Sequence, residues 1–449
     1  MKKLPKIKIG LKPFYKKIAE DINFFELFRT IEDQHEVCFI LESLGEEGDF
    51  ARYSVIGFSP EHLISARGKT LTIDEATYHV ENPYYSLREI MPTQTIAKNY
   101  AGGLIGYLSY DAVHYFESNI KPKLHPDFEQ FMFGVYTDGV ILDKLTNELF
   151  YFYYTTDRSA LVNSYLKKKV SKKSFKAVFK GDSSSQNEHA EAVEYVKEEI
   201  RKGNTFQCEV GFKSKYSISG SALGIYENLR EVNPSPFMYY LKFGKKQVIG
   251  ASPELLFSLR DGEMETRPLA GTIRRGRDDA EDKRLARQLL NDPKEIPEHT
   301  MLVDLHRNDI GRVAQFGSVK VRDLMSVKKF SHVQHISSTI TGFIKQNEDM
   351  FSGLASNFPA GTLSGAPKIE SMKIIDRLEK EPRGPYGGAV GQFGFNGDCT
   401  FAIAIRTLFV SGKDAYSQTS GGIVLDSTPE GEYDEIQRKL AAMKKVLGV

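Results

Sequence analysis

Apolar and polar positions alternate with a period of two over several stretches of the chain, as half-buried strands require. Leu63-Ile64-Ser65 and Thr70-Leu71-Thr72-Ile73 read as a hairpin turned at Gly68-Lys69. Gly102-Gly103-Leu104-Ile105-Gly106-Tyr107 reads as a glycine-rich strand where backbones approach closely. Further on, Phe237 to Phe243, Gln247 to Ser252 and Leu255 to Arg260 alternate in the same way, and Asp261-Gly262 turns the chain into Glu263 to Arg267. These segments predict antiparallel sheet. The period becomes helical after Ser185, which forms a capping box with Glu188, and Val193, Val196 and Ile200 recur on one face of a helix ending near Gly203. A helical block is expected from Asp279 to about Ile310, a second meander from Ala389 through Asn396-Gly397 and Ser411-Gly412 to Val424, and a last helix from about Glu432 to Leu447. Strands grouped with strands and helices with helices indicate α+β rather than alternating α/β.

At 449 residues the chain has room for one large body or two domains. A lysine-rich and then serine-rich stretch, including Lys172-Lys173 and Gly181-Asp182-Ser183-Ser184-Ser185, has the polarity of an exposed connection. The expected layout is an N-terminal domain over 10–165, a linker over 166–187 and a second domain over 188–445. Lys and Arg (60) balance Asp and Glu (59), so no global field favours nucleic acid or an anionic membrane. No apolar run approaches the ~18 to 20 residues of a membrane span. Met1 to Gly10 lacks the apolar core and cleavage site of a secretory signal, and a cytoplasmic protein is expected. Cys38, Cys208 and Cys399 are far apart and odd in number, which fits buried thiols better than a disulfide framework or a zinc site.

Two acidic pairs lie on predicted helices, Glu295 with Glu298 and Glu432 with Glu435. The i, i+3 spacing puts both carboxylates of a pair on one helix face. Either pair alone reads first as an ordinary solvated surface. Four converging carboxylates, however, would repel strongly unless a hard dication lay among them, and Mg²⁺ takes oxygen ligands together with waters and the anionic groups of a substrate. Pro297, between Glu295 and Glu298, removes a helical hydrogen bond unless the helix begins there. The second pair follows Ser420-Gly421-Gly422-Ile423-Val424, whose glycines leave backbone N–H groups accessible to an anion. Arg406 ends the apolar run Ala402-Ile403-Ala404-Ile405 and needs an anion, either a structural partner or a substrate. Phe358 to Lys368 lacks the residue order of a phosphate-binding loop, and Gly388, Gly391 and Gly394 do not open a helix after a strand, so neither suggests nucleotide binding.

Five segments together resemble the chorismate-utilising enzymes: Arg267 to Thr272, Glu298 to Asp309, Phe358 to Lys368, Ala402 to Thr407 and Gly421 to Glu435. The similarity is ordered and spans about residues 188–442. Leu41-Glu42-Ser43 and Gly102 to Asp111 are similar to that family's regulatory region. The resemblance implies large antiparallel sheets packed as a sandwich core with helices outside, and Mg²⁺ held directly by Glu298 and Glu435, with Glu295 and Glu432 acting through waters. It further implies that Glu254 protonates the departing ring hydroxyl, that His335 serves the later loss of pyruvate, with His332 as the alternative, and that Thr362 and Gln207 complete the reacting centre. Arg406 and Tyr386 would face the enolpyruvyl carboxylate of chorismate, while Gly421, Gly422 and Ala270-Gly271-Thr272 would shape the pocket.

Two positions separate branches of the family. Members that add water carry a lysine base where Gln207 stands; ammonia is already a nucleophile and needs none. The branch forming 4-amino-4-deoxychorismate often carries a lysine nucleophile where Ala270 stands. The resemblance therefore favours conversion of chorismate and ammonia to anthranilate and pyruvate, with the other amine-adding branch, or a silent sensor of chorismate or tryptophan, as the alternatives. Asn233-Pro234-Ser235-Pro236-Phe237-Met238, with Leu41-Glu42-Ser43, resembles a tryptophan feedback site; the rival reading is a proline-fixed strand entry. No cysteine sits in a glycine-flanked nucleophile elbow, so ammonia is expected from a glutamine amidotransferase partner. Gln392 stands where related proteins often have an aromatic residue.

Overall fold

The computed structural model describes residues 3–18, 23–44, 52–92, 95–97, 100–168, 170–330 and 333–449. Among these the strands form two sheets of 12 strands each, paired antiparallel. One sheet runs from Phe14–Lys17 and Glu148–Tyr153 at one edge to Gln207–Gly220 and Phe175–Asp182 at the other. The second runs from Leu269–Arg274 and Val333–Phe343 to Ala76–His79. Each contains strands from both ends of the chain. Val37–Glu42 pairs with Phe237–Phe243 in the first sheet, with Phe39 opposite Leu241, and Gly103–Leu108 pairs with Ala389–Gly394 in the second, with Gly106 opposite Gly391.

The sheets pack face to face through aromatic side chains, which supply large apolar area in fixed orientations. Phe39 meets Tyr136 edge-on at 4.6 Å across the layers, and Phe128, in the segment leading into Phe131–Tyr136, meets Phe409 of the first sheet at 6.1 Å. The outer face of the first sheet is covered by the helices Phe24–Gln34, Ala222–Val232 and Pro429–Leu447, whose Phe28, Ile225 and Val446 join Ile40 and Ile249 in a second core. All three cysteines are buried and free. The α+β class and the sandwich with outer helices are as expected.

Local signals account for most elements. Ser185 and Glu188 make the reciprocal capping box that starts Gln186–Arg201. The block expected as one run of helix is two, Asp279–Leu289 and Glu295–Val313, because Pro293 keeps the residue before it out of helical conformation. Within the stretch read as an exposed connection, Phe175–Asp182 forms an edge strand on Gln207–Gly220, with a register shift between Phe179 and Gly181. Its lysines suit an edge that must not recruit further strands, and they hid it among linker-like composition.

Gly106 shows how tightly the central strands meet, since a Cβ there would lie 1.9 Å from the Met132 carbonyl oxygen. Gly106→Ala should therefore force the sheet apart and destabilise the protein by on the order of 1 to 3 kcal/mol. Gly412, at a turn with nothing within 4 Å of its Cβ position, is the tolerant control for a thermal melt, although its φ of +64° adds a small strain of its own. Equal melting temperatures for Gly106→Ala and wild type would contradict this account of the packing.

Candidate active site

The two acidic pairs converge. Glu295 is the first residue of Glu295–Val313, so Pro297 falls in the first turn, where its missing N–H had no intrahelical acceptor, and the i, i+3 geometry survives. Glu432 is in the first turn of Pro429–Leu447, capped by Thr428, and Glu435 follows one turn later. Burial raises the pKa of Glu295 to about 7, helped by the charges of Glu298 and Glu435. Burial also raises Glu298 and Glu432, and Glu435 adds to the shift of each. Glu435 itself is shifted the other way: its desolvation is outweighed by Lys439, whose ammonium is 2.7 Å from its carboxylate. Glu432 accepts from the Ser427 hydroxyl at 2.6 Å through one oxygen, while its other oxygen is buried without a partner among the described residues. The donors are all carboxylate oxygen, the chemistry a hard dication selects. Among the described residues no three His, Cys, Asp or Glu side chains stand close enough to hold an ion alone.

Glu254 faces the same space. Thr362 donates to its Oε1 at 3.0 Å and the Leu269 N–H at 3.4 Å, yet burial dominates and pushes its pKa up to about 8. Arg406 is near enough to act on Glu254 electrostatically. It does not end a strand, as expected, but bridges Cys399–Ile403 in one sheet and Thr407–Ser411 in the other at a left-handed φ of 50°. Its guanidinium has no hydrogen bond or ion pair among the described residues, and desolvation lowers its pKa. His335 Nδ1 lies 3.0 Å from the Gly271 carbonyl oxygen and 3.0 Å from the Thr272 hydroxyl. A carbonyl only accepts, so Nδ1 carries the proton and the buried, unpartnered Nε2 has a free lone pair. Burial lowers the imidazole pKa to about 4, which keeps it neutral. His332 lies outside the described residues.

Glycines admit these side chains. A Cβ on Gly271, at φ +63° in a bulged strand that also carries Ala270, would meet Glu295 at 3.0 Å. One on Gly421 would meet Glu432 at 2.6 Å, and one on Gly422 would meet Gln207 at 2.3 Å and Glu209 at 2.7 Å. Gly421 and Gly422 thus make room for carboxyl and amide groups and pair in the ladder opposite Val210 and Glu209. Gln207 donates to Glu298 at 3.0 Å. Tyr386 donates to the Ser420 hydroxyl at 3.0 Å, and Ser420 donates to Glu209 at 2.7 Å.

Glu209, Ser420 and Lys439 escaped sequence reasoning. Period two from Gln207 on a strand would have found Glu209, and i, i+4 spacing from Glu435 would have found Lys439. A second cluster forms elsewhere on the first sheet. Leu41 and Glu42 pair with Tyr239 and Met238, and the Leu44 N–H bonds to the Ser235 carbonyl at 2.9 Å, so Leu41-Glu42-Ser43 lies against the Asn233-Pro234-Ser235-Pro236-Phe237-Met238 segment. Glu42 is held by Arg230 at 2.6 Å and Tyr226 at 2.8 Å.

The sequence pattern defining the chorismate binding enzymes matches residues 72–445. The chain belongs to this family. Anthranilate synthase component 1 of Leptospira biflexa is 55% identical over 452 aligned residues, covering 99% of this chain and 98% of that protein. The protein of the same name from Methanothermobacter thermautotrophicus is 40% identical, covering 97% and 95%. The crystal structure of anthranilate synthase component I from Streptococcus pneumoniae superposes with a TM-score of 0.79 at 33% identity, covering 89% of this chain and 93% of that one.

In this member of the family Glu254 carries a stability cost that depends on pH. Its folded pKa is raised from 4.5 to about 8, so the native state keeps a proton that the unfolded chain gives up. The stability present below pH 4.5 is therefore lost progressively up to about pH 8. Glu254→Gln should melt above wild type by a margin that grows between those two values and levels off beyond; a margin independent of pH would contradict the raised pKa.

Proposed function

We propose that this chain converts chorismate and ammonia to anthranilate and pyruvate, the first committed step of tryptophan synthesis, in the cytoplasm. The observation that carries this reading is the electrostatic meeting of Glu295, Glu298, Glu432 and Glu435 from two helices remote in sequence, with Glu254 and Arg406 within reach of each other. The names of the relatives in the family agree with it. Residues 188–445 act as the catalytic unit and residues 10–165 as the regulatory one, joined through 166–187.

Glu298 and Glu435 would hold Mg²⁺ directly and Glu295 and Glu432 through waters; when bound, the ion would offset the carboxylates' charge and supply a positive site for the ring carboxylate of chorismate. Arg406, which has no protein anion of its own, binds the enolpyruvyl carboxylate beside Tyr386. Glu254, protonated at neutral pH, gives its proton to the departing ring hydroxyl as nitrogen adds to the ring carbon next to the carboxylate-bearing one. His335, neutral with a free Nε2, takes the ring proton whose loss accompanies release of pyruvate. Thr362 holds Glu254 by its hydroxyl, and Ala270, Gly271, Thr272, Gly421 and Gly422 leave the pocket open.

Gln207 supports an amine-adding reaction, because it cannot act as the base that water would need, and Ala270 cannot form the covalent bond of a lysine nucleophile. Ammonia comes from a glutamine amidotransferase subunit, since ammonium in solution is mostly protonated and a poor nucleophile. Tryptophan inhibits through the cluster of Leu41, Glu42 and Ser43 against Asn233 to Met238.

Purified chain with chorismate, Mg²⁺ and ammonium at alkaline pH should form fluorescent anthranilate, and a chelator should abolish the product until Mg²⁺ is restored. Glu254→Gln should lower kcat by roughly 10²- to 10⁴-fold, the usual contribution of a placed acid. Formation of 4-amino-4-deoxychorismate instead would assign the chain to the other amine-adding branch. Saturating tryptophan should slow the reaction; an unchanged rate removes the feedback reading alone.

A further inference from the structure

A left-handed backbone at a residue other than glycine persists only where its surroundings hold it, and Arg406, at a φ of 50°, is such a residue. Its guanidinium has no hydrogen bond or ion pair among the described residues, so the direction of the side chain is set from the backbone. Both peptide groups that flank its Cα are tied down. The Arg406 carbonyl accepts from the Ala251 N–H at 3.3 Å. The Ile405 carbonyl accepts from the Thr407 hydroxyl at 2.7 Å, a bond that spans Arg406 and closes a small ring around it.

The Thr407 hydroxyl has a second partner, the Tyr239 hydroxyl at 2.7 Å, and both residues are buried. A carbonyl only accepts, so the Thr407 proton lies on the bond to Ile405 and Tyr239 must be the donor to Thr407. The bonds thus run in one direction, from Tyr239 through Thr407 to the Ile405 carbonyl. Tyr239 makes this contact across an intervening strand, since it pairs with Gly250 and Gly250 pairs with Thr407. A Cβ on Gly250 would lie 2.3 Å from the Tyr239 ring and 2.6 Å from the Thr407 hydroxyl oxygen, which leaves no room for a side chain there. An ordinary buried tyrosine needs only some partner for its hydroxyl. Here the partner is the hydroxyl that closes the ring around Arg406, and the strand between them is bare where the two meet.

We infer that Tyr239 and Thr407 are positioning residues for Arg406: they hold its left-handed turn and so aim its guanidinium at the carboxylate of the substrate. The inference rests on the proposed reading of Arg406 as the group that binds the enolpyruvyl carboxylate. Chorismate carries that carboxylate from the moment it binds until pyruvate leaves. An interaction made equally in the bound and the transition state changes affinity and not turnover, so a misaimed Arg406 should show in chorismate binding.

The test is titration calorimetry of chorismate into the full chain with Mg²⁺ and without ammonium, which separates binding from amination. Thr407→Val keeps the shape and removes the hydroxyl, and it should weaken chorismate binding by about tenfold, the order expected when a hydrogen bond to a charged group is lost. Thr407→Ser returns the hydroxyl and should recover most of that loss. Tyr239→Phe, which leaves Thr407 without its donor, should show a smaller loss and serves if Thr407→Val fails to fold by its thermal melt. With ammonium present, the KM for chorismate should rise in the same order while kcat and the KM for ammonium stay within about twofold. A lowered melting temperature with chorismate affinity unchanged marks an ordinary core hydrogen bond and overturns the assignment, as do equal losses for Thr407→Ser and Thr407→Val. A wild-type chain that binds chorismate but forms no anthranilate overturns the proposed reaction and leaves the binding comparison to decide this inference; one that binds no chorismate overturns both.

Discussion

The repulsion among carboxylates gathered in one half-buried cleft is the constraint around which the rest of this structure is arranged. Glu295, Glu298, Glu432, Glu435 and Glu209 come from two helices and a strand, and several raise one another's pKa beyond what burial alone does. Left without compensation, such a group would keep its protons or push its elements apart. The fold answers first with helix direction. Glu295 and Glu298 occupy the first turn of one helix and Glu432 the first turn of another, so unpaired backbone N–H groups and the positive end of each dipole face the acids. Lys439 and the hydroxyl of Ser427 offset more of the charge. What remains is a surplus of negative charge in the cleft.

The second requirement is room. Carboxylates can approach a sheet this closely only where the sheet has no side chains, and Gly271, Gly421 and Gly422 are the positions against which Glu295, Glu432, Gln207 and Glu209 rest. The two sheets supply rigidity because each is built from both ends of the chain, and the chain passes from one to the other at Arg406. That crossing explains its left-handed backbone: the strand direction must change within three residues while the side chain is turned toward Glu254.

Much of this was legible in the sequence, because the signals were local. Period-two alternation located the strands, Ser185 with Glu188 located a helix start, and i, i+3 spacing showed which acids share a face. The pairing of strands from opposite ends of the chain was not legible, since hydrophobic alternation specifies a buried face and not the neighbour that covers it. The strand Phe175–Asp182 was hidden because an edge strand carries lysines for the same reason a linker does. Glu209 was hidden in the other direction: a single glutamate within Cys208 to Phe212 looks like a lapse in an apolar strand until Ser420 and Gly422 are seen across the ladder. Pro297 resolved the opposite way from its first appearance, being harmless once the helix began at Glu295.

Two buried or half-buried arginines near the cleft show what separates a saturated charge from an unsaturated one. Arg383 is 3% exposed, yet its guanidinium donates to Glu379 at 2.7 and 2.9 Å, to the Leu363 carbonyl at 2.6 Å and to the Glu209 carbonyl at 2.7 Å. Although burial opposes its charge, Glu379 holds its pKa above the ordinary arginine value. The group is saturated, and its work is to tie the Thr362 turn to the strand bearing Gln207 and Glu209. Arg406 is shifted downward by the same desolvation because no carboxylate is bonded to it. In sequence Arg406 ends an apolar run while Arg383 sits between Pro382 and Gly384 just after Lys380 and Glu381. The count of hydrogen bonds distinguishes them, and by that count Arg383 is complete while Arg406 has no anionic partner among the described residues.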